Sequence, residues 1–199
     1  MLNRLKHLFG DKKNKEFGIN NITPIEKIAP KEQIDLAMFY LSERKIVKGL
    51  IAAHQRGVNV RVLLDPNKDA FGRQKNGIPN RQVASELNDA GVAVRWCDTR
   101  GEQCHSKMIL KTGAQQAELI LGSANFTARN LKNYNLETDF RVLGKPQDAV
   151  FKDAQQYFDS SWANLNNRQI SVPYPKYADE SKLKYALYRF MEWSGLSTF

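Results

Sequence analysis

Three short segments of the chain carry polar side chains that together suit the chemistry of a phosphate ester. They are His105-Ser106-Lys107, Gly122-Ser123-Ala124-Asn125 and Asn135-Leu136-Glu137. Residues two apart in a strand point to the same side of a sheet, so His105 and Lys107 are expected to project together. Ser123 and Asn125 add neutral hydrogen-bond donors. The set predicts a site for a phosphodiester, whose transition state spreads negative charge over its oxygens.

His105 is the residue of this set that is suited to attack phosphorus. A neutral imidazole exists near pH 7, and it needs one ring nitrogen free and the other held by an acceptor. Glu137 is the candidate acceptor, because its carboxylate would fix the tautomer of the ring. Lys107 is expected to hold a non-bridging phosphate oxygen as a compact positive charge. Each segment alone is common by chance, and the prediction rests on their order within one sheet.

The region before these segments predicts a β-strand, an α-helix and a second β-strand. Residues 33–41 are an apolar stretch typical of a buried strand, and Ser42 is the expected N-cap of the following helix. Gly57 stands where the C-terminal cap of that helix belongs. Residues 58–64 are rich in β-branched side chains and predict the second strand. Such a unit predicts a parallel strand pair with a right-handed crossover.

Further strands and helices are predicted along the rest of the chain. Strands are expected at residues 92–97, 106–111, 119–121 and 138–142, and helices at residues 81–90, 148–162 and 183–193. The aromatic residues of the last helix are expected to dock against the core. Together these elements predict an α/β fold with a central mixed, mainly parallel sheet and helices on both faces.

The length of the chain predicts a single main domain with a segment on either side. The 199 residues suffice for one ordinary domain with a sizeable core. Residues 1–30 are expected to form a peripheral basic N-terminal segment, residues 31–165 the main domain, and residues 166–199 a C-terminal extension with a helix. Between the strands, residues 65–80 form a polar loop long enough to be functional, with Lys68, Arg73 and Lys75.

The charge of the chain favours an anionic partner. The formal net charge is +9, which points to nucleic acid, an anionic lipid surface or a phosphate substrate. The alternative is that the excess of Lys and Arg only keeps the protein in solution. Charge alone does not choose between these two interpretations.

Cysteine content and hydropathy set further expectations. Cys97 and Cys104 are too few for a disulfide framework and fit no common zinc pattern, so two reduced thiols are expected. No stretch approaches the roughly 20 apolar residues that a membrane-spanning helix needs. The basic segment before residue 11 lacks the continuous apolar run of a signal peptide. A cytoplasmic or peripheral membrane location is therefore expected.

The segment from His105 to Glu137 resembles the active-site motif of the phospholipase D superfamily, which is His-x-Lys-x4-Asp followed by Gly-Ser-x-Asn. Residues 56–65 are similar to the helix-to-strand passage that precedes this motif in many members. Residues 65–79 resemble the C-terminal half of bacterial phospholipase D-like, cardiolipin synthase-related proteins. The resemblance extends over residues 33–162 and implies a phospholipase D-like fold for residues 31–165, with one copy of the motif.

The resemblance also implies a mechanism, in which two His-Lys motifs face each other. One histidine attacks phosphorus and becomes phosphorylated, and the other protonates the leaving alcohol. Water or an acceptor alcohol then releases the phosphoryl group, and neither a metal nor a cofactor is expected. By motif matching, His105 is the nucleophile or the general acid, Lys107, Ser123 and Asn125 bind the phosphate, and Glu137 orients a histidine.

Two departures from the family pattern are visible. Thr112 stands where the motif has an aspartate, five residues after Lys107. Neither His7 nor His54 begins a second His-x-Lys motif, so the chain supplies half of a site. The missing half would come from a homodimer about a two-fold axis or from another chain with its own motif.

Three functions therefore remain open at the level of sequence. The favoured one is a phospholipase D-type phosphodiesterase that cleaves or transfers a phosphodiester through a phosphohistidine, with phospholipid as substrate and a possible peripheral membrane contact. The second is a homodimeric, metal-independent nuclease, which the single motif, the small size and the charge favour. The third is a catalytically incomplete half-site, which Thr112 and the missing second motif favour.

Overall fold

The computed structural model describes residues 32–67, 69–70, 73–74, 76–132, 135–165 and 167–194. The strands are β1 Gln33–Met38, β2 Asn59–Leu64, β3 Asp69–Ala70, β4 Arg73–Gln74, β5 Ala93–Cys97, β6 Lys107–Thr112, β7 Ala117–Gly122, β8 Asp139–Gly144 and β9 Ser171–Pro173. The helices are α1 Arg44–Gln55, α2 Asn80–Asp89, α3 Ala128–Leu131, α4 Ala149–Ala163 and α5 Lys182–Ser194, with a 3-10 turn at Tyr174–Lys176. The N-terminal segment 1–30, Lys68 and Lys75 lie outside the described residues.

Seven of the strands form one mixed sheet in the order β8-β7-β6-β1-β2-β5-β9. The predicted parallel unit is present, because β1 pairs with β2 and β2 with β5 in parallel. The other pairings, β1–β6, β6–β7, β7–β8 and β5–β9, are antiparallel. The mixed sheet is thus confirmed, but antiparallel pairing predominates. A short turn joins β6 to β7 and reverses the direction of the chain. Antiparallel strands joined in this way need no crossover helix.

Helices cover both faces of the sheet, as the sequence predicts. On one face, α1, α2 and α5 pack over a core that includes Leu36, Val62 and Trp96. On the other face, α4 packs over a second core through Phe151 and Phe158. Successive side chains of a strand point to opposite faces, so the central strands are apolar along nearly their whole length.

The two ends of α1 agree only in part with the sequence prediction. The chain leaves the helix through Gly57 in the left-handed region, at φ 89°, where a glycine cap is expected. The N-cap is Glu43, whose carboxylate accepts a hydrogen bond from the backbone N–H of Lys45 at 3.3 Å. Ser42 was predicted for this role, but it is fully buried. The helix begins one residue later than predicted because the backbone N–H groups of Ser42 and Glu43 both donate to the carbonyl of Phe126.

Cys97 and Cys104 form a disulfide, so the prediction of two reduced thiols is wrong. Cys97 ends β5, and the chain reverses direction over the next residues, with Gly101 at φ 122°. The reversal brings the two Cα atoms to 6.2 Å, within the range that a disulfide spans. The count and spacing of cysteines do not reveal such a reversal, which depends on the tertiary fold.

The C-terminal segment adds to both the sheet and the helical layer. β9 pairs with β5 at one edge of the sheet, and the indole N–H of Trp96 donates to the carbonyl of Tyr174 at 2.7 Å. α5 packs against the rest of the protein through Tyr188, which is fully buried. In the described ranges, none of the helices combines the length and apolar character that crossing a membrane requires. The division of the chain at residues 30 and 165 stays a prediction.

Candidate active site

All the predicted site residues lie on one side of the sheet, where β1 and β7 end and β6 and β8 begin. We call this row of strand ends the active-site edge. Met38 at the end of β1 pairs with Lys107 at the start of β6, and Gly122 at the end of β7 pairs with Asp139 at the start of β8. His105 stands two residues before Lys107, while Ser123 follows β7 directly. The antiparallel hairpin of β6 and β7 therefore brings together motifs that are well separated in sequence.

His105 and Lys107 are in contact with each other. The ammonium nitrogen Nζ of Lys107 lies 3.0 Å from Nδ1 of His105 and donates to the carbonyl oxygen of the same residue at 3.0 Å. The ring of Phe39 lies beside both, with its centroid 4.5 Å from that of His105 and 5.3 Å from Nζ of Lys107. Phe39 is itself fixed, because its backbone N–H donates to the carbonyl of Ser106 at 2.8 Å.

The surroundings of the pair favour the neutral imidazole. Partial desolvation, and then the positive charge of Lys107, lower the pKa of His105 from its ordinary value near 6.5. Burial lowers the pKa of Lys107, but the nearby carboxylates of Glu137 and Asp139 oppose that shift. His105 is therefore neutral at pH 7, which is the state in which imidazole attacks an electrophile.

Ser123 and Glu137 are joined by a short hydrogen bond. Oγ of Ser123 donates to Oε2 of Glu137 at 2.5 Å, and Nδ2 of Asn130 donates to Oε1 of the same carboxylate. The backbone of Ser123 is held to that of Thr138 by an N–H···O bond of 3.0 Å. Among the described residues, no hydrogen bond joins Glu137 to His105. The orientation of a histidine by Glu137 stays a prediction.

Asn125 has its amide oxygen in a hydrogen bond with the backbone, which leaves the amide nitrogen as the end that is predicted to bind phosphate. Oδ1 of Asn125 accepts a hydrogen bond from the backbone N–H of Tyr40 at 3.2 Å. This bond links the loop after β7 to the chain that follows β1. Asn125 is half-buried, so the amide group is held while its donor end can still reach the site.

Gly122 allows β7 and β8 to approach closely beside the site. A Cβ atom at this position would collide with the carboxylate of Asp139 and with the backbone carbonyl of Thr138. Asp139 in turn accepts a hydrogen bond from the backbone N–H of Ala124 at 3.1 Å. Burial raises the pKa of this carboxyl group. Gly122 thus lets Asp139 hold the turn that carries Ser123.

Three buried residues beside the site were not identified from the sequence, namely Asp65, Asn67 and Asn80. Nδ2 of Asn80 donates to the carbonyls of Phe39 and Asp65, at 2.7 and 2.8 Å, and its Oδ1 accepts from the backbone N–H of Leu41 at 2.9 Å. Oδ2 of Asp65 accepts from the backbone N–H of Cys104 at 2.8 Å. This buried polar network, made of Asp65, Asn67 and Asn80, ties the ends of β1 and β2 to the residue before His105. Asp65 directly follows an apolar strand, which is the one signal in the sequence that hints at its place.

Thr112, which replaces the motif aspartate, lies at the far end of β6. Five residues of strand separate it from Lys107, or about 16 Å. It pairs there with Gln33 and Ala117. Thr112 therefore lies too far from His105 and Lys107 to contact either residue. In the described part of the chain, no group of three His, Cys, Asp or Glu residues is placed to hold a metal ion.

The chain matches the family described as "Cardiolipin synthase, PLD-like domain" over residues 25–162. It is 28% identical over 149 residues to the mitochondrial cardiolipin hydrolase of Homo sapiens. The matched region covers 75% of this chain and 53% of that protein. The mitochondrial cardiolipin hydrolase of Xenopus tropicalis is 30% identical over 130 residues. That match covers 63% of this chain and 56% of the Xenopus protein. The chain thus spans about half the length of the curated relatives that it matches.

Solved structures share the fold at lower identity. A phospholipase D family member, Nuc from Salmonella typhimurium, superimposes with a TM-score of 0.52 at 20% identity, covering 71% of this chain and 83% of that one. These values establish a common fold. They agree with the mixed sheet and two helical layers described above.

Proposed function

The chain belongs to the cardiolipin synthase PLD-like domain family of the phospholipase D superfamily, and from this premise we propose that it cleaves or transfers a phosphodiester through a phosphohistidine. The observation that supports this most directly is the contact of His105 with Lys107 beside Ser123 and Asn125. The pKa of His105 is lowered, so a nucleophilic ring, a cation and two neutral donors share one edge of the sheet.

The proposed first step is attack by His105 on phosphorus. A phosphate oxygen is a charged acceptor and competes well for Lys107, which turns from the imidazole to that oxygen. Ser123 and Asn125 donate to the other non-bridging oxygen. A bond forms between the imidazole nitrogen and phosphorus, and the bond from phosphorus to the leaving alcohol breaks. A second histidine, which has taken up a proton beside the negative charge of the bound phosphodiester, donates that proton to the leaving oxygen.

The proposed second step restores the enzyme. The second histidine, now neutral, accepts a proton from water or from an acceptor alcohol as that oxygen attacks phosphorus. The nitrogen–phosphorus bond breaks, and the phosphoryl group leaves on the new oxygen. A Glu137 carboxylate is the proposed acceptor for the remaining imidazole N–H, once Ser123 has turned its hydroxyl group to the phosphate.

The proposed substrate is a phospholipid. Residues 25–162 match the family described as "Cardiolipin synthase, PLD-like domain". The relatives in four vertebrates are described as mitochondrial cardiolipin hydrolases. A net charge of +9 suits a substrate embedded in an anionic membrane. Peripheral contact of the protein with such a membrane is part of this proposal.

The second histidine is proposed to come from a second copy of the chain. Three exposed apolar side chains stand close in sequence to Ser123 and Glu137: Leu136 is fully exposed, Phe140 is 60% exposed and Leu121 is 39% exposed. Leu121 and Phe140 are paired across β7 and β8, so they form one patch. A two-fold interface on this patch would bury the apolar side chains and bring two half-sites together.

A homodimeric nuclease is the second candidate, and the charge of +9 is the observation that favours it. Binding to a polyanion depends chiefly on the neutralisation of phosphates by Lys and Arg, so the affinity for DNA would fall steeply with salt. DNA binding that is absent or insensitive to salt would exclude this function.

The test of the proposed reaction is turnover of bis(p-nitrophenyl) phosphate in EDTA by the wild type, by His105→Ala and by His54→Ala. We expect the wild type and His54→Ala to release nitrophenol and His105→Ala to be inactive. A folded wild type without activity would favour an incomplete half-site. Activity that survives in His105→Ala would contradict the proposed nucleophile or acid.

A further inference from the structure

The Cys97–Cys104 disulfide lies on the active-site edge. β5 runs parallel to β2 and β1, so it ends on the same side of the sheet as they do, and Cys97 is its last residue. The sheet places β2 and β1 between β5 and β6. The connection from Cys97 to Lys107 therefore crosses the ends of both strands, and Cys104 and His105 are part of that crossing.

The connection that crosses the edge, residues 98–106, has no regular secondary structure. None of these described residues belongs to a helix or a strand, so no ladder of backbone hydrogen bonds holds them. The backbone N–H of Asp98 ties the beginning of the connection to the segment before β9. The carbonyl of Ser106 ties its end to the backbone N–H of Phe39. Between these ends, Cys104 ties the connection to β5 and to the end of β2.

Cys104 is held at two points immediately before His105. Its side chain is bonded to Cys97, which is 3% exposed and belongs to the core beneath α4. Its backbone N–H donates to Oδ2 of Asp65 at 2.8 Å. Asp65 belongs to the buried polar network and is 2% exposed. Both anchors are part of the close-packed interior, so Cys104 gives the next residue a fixed starting point.

His105 depends on its neighbours for its position. It is exposed, and its ring is bordered by Nζ of Lys107, 3.0 Å from Nδ1, and by the ring of Phe39. The proposed mechanism moves Lys107 from the imidazole to the phosphate. During the reaction, the backbone at Cys104 and the ring of Phe39 then hold the imidazole in line with phosphorus. A displacement of about 1 Å is enough to lower a rate by a factor on the order of a hundred.

Cys104 is the more accessible partner of the disulfide. It is half-buried whereas Cys97 is buried, so a thiolate of a dithiol reductant reaches Sγ of Cys104 first. A sulfur–sulfur bond forms between the reductant and Cys104, and Cys97 leaves as a thiolate and takes up a proton. The second thiol of the reductant then displaces Cys104 and closes its own disulfide. The dithiol loses two electrons, and both cysteines end as thiols.

Reduction removes one of the two anchors of Cys104 but leaves the fold in place. The two cysteines are seven residues apart, so the bond restrains the unfolded chain less than a long-range disulfide does. Cys97 still packs in the core beneath α4, and the hydrogen bond from Cys104 to Asp65 can still form. The connection that leads to His105 gains freedom, whereas the sheet on either side of it does not.

We propose that the Cys97–Cys104 disulfide positions His105, and that reduction of this bond by a dithiol lowers the activity of the folded protein. The bond makes the site sensitive to the redox state of its surroundings. Cys97 and Cys104 act through His105 and are therefore positioning residues. The effect on turnover rests on the proposed function, whereas the effect on the position of the His105 ring does not.

The first test compares kcat and KM for bis(p-nitrophenyl) phosphate in EDTA. The proteins are the oxidised wild type, the wild type reduced with dithiothreitol, a Cys97→Ser/Cys104→Ser double variant and the control Gln169→Ala. That control removes a hydrogen bond of 2.9 Å to Asp98, at the other end of the connection. We expect kcat to fall about tenfold or more in the reduced protein and in the double variant, with little change in KM. Gln169→Ala should keep the wild-type kcat.

Two controls tie the loss of kcat to the bond itself. Reoxidation should restore the kcat of the reduced wild type, and dithiothreitol should not change that of the double variant. Alkylation in denaturant followed by mass spectrometry verifies that both cysteines are blocked before reduction and free after it. A wild type with equal kcat in the two states, or one whose two thiols resist oxidation, would contradict the inference.

The second test observes the His105 ring without turnover. The centroids of the His105 and Phe39 rings are 4.5 Å apart, so their protons should show a nuclear Overhauser effect in the oxidised protein. Reduction should weaken this effect. The rings of Phe158 and Trp162, with centroids 5.6 Å apart beside α4, provide the internal control and should be unaffected. An unchanged effect between His105 and Phe39 would show that the disulfide does not position the histidine.

The two tests separate this inference from the proposed function. A protein without turnover in either state, whose contact between His105 and Phe39 depends on the disulfide, would support the positioning and overturn the proposed function. Equal turnover in both states, with that contact unchanged, would support the function and overturn the positioning. Unfolding of the reduced protein, measured by circular dichroism, would also overturn it, because the bond would then stabilise the whole domain.

Discussion

The two halves of the active-site edge differ in how their polar groups are used. At the ends of β1 and β2, the buried polar network of Asp65, Asn67 and Asn80 is withdrawn from water, and its side chains bind one another and the backbone. At the ends of β7 and β8, Ser123 is exposed and its apolar neighbours Leu136 and Phe140 are exposed with it. The first, closed half is completed by the chain itself, and the second, open half is the one proposed above to meet a substrate and a second copy.

The largest expected effect concerns the apolar patch of the open half. Phe140→Asp should halve the molecular mass in solution, because a charge within the proposed two-fold interface has no partner there. Without the second histidine the general acid is lost, so turnover should fall about a thousandfold. Light scattering and turnover of bis(p-nitrophenyl) phosphate are the measurements.

Leu143→Asp is the matched control, because Leu143 is equally an exposed apolar residue of β8 and points to the opposite face of the sheet. It should keep the wild-type mass and activity. If Phe140→Asp behaves like Leu143→Asp, the patch is not the interface.

The closed half should respond through stability. Asn80→Ala removes three hydrogen bonds and leaves a buried N–H and two buried carbonyls without that partner. The free energy of unfolding should fall by about 3 kcal/mol, measured by urea denaturation. Asn59→Ala, at an exposed asparagine at the other end of β2, should cost less than about 0.5 kcal/mol. A loss below about 1 kcal/mol for Asn80→Ala would mean that the network is not a structural anchor.

Ser123→Ala should show the reverse behaviour. The hydroxyl group is exposed, so its removal should change the free energy of unfolding by less than about 1 kcal/mol. It is proposed to bind a phosphate oxygen in the transition state, so kcat should fall about a hundredfold. A large loss of stability with unchanged kcat per folded molecule would show that Ser123 has a structural role, like the residues of the closed half.

The sequence predicted most of the elements but not how they meet. Hydrophobic periodicity located α1, α2, α4 and α5 to within about two residues, because each helix has a regular apolar face. Periodicity does not say which apolar face is covered. The prediction that the aromatic residues of α5 dock against the core is therefore confirmed for Tyr188 but wrong for Phe190 and Trp193. The excess of antiparallel pairing depends on β6 lying beside β1, which is a contact between residues far apart in sequence.

The site itself was predictable to a similar extent. His105, Lys107, Ser123, Asn125 and Glu137 could be singled out because their residue types suit one chemistry and their order resembles one family. Asn80 could not be singled out, because nothing in the neighbouring sequence distinguishes a buried asparagine from one in a polar loop. For Asp65 the sequence offers one signal, its position directly after an apolar strand. The Cys97–Cys104 disulfide was missed because it depends on a chain reversal that brings β5 and the segment before β6 together.

The smallest expected effect is a shift in pH dependence. Both desolvation and Lys107 lower the pKa of His105, so its neutral form persists below pH 6.5 and activity should fall as the pH drops through that lowered pKa. Lys107→Gln removes the positive charge, so the pKa of His105 should rise and the acidic limb should move to higher pH. NMR titration of the His105 ring in both proteins measures this shift. A shift to lower pH would contradict the proposed electrostatics.

The most direct test of the central claim is the activity of mixed dimers. Wild type and His105→Ala are unfolded together at varied ratios, refolded and assayed on bis(p-nitrophenyl) phosphate in EDTA. If each site needs His105 from two copies, activity should follow the square of the wild-type fraction, whereas mixtures with His54→Ala should keep full activity. A linear dependence on the wild-type fraction would show that one chain completes its own site and would contradict the account.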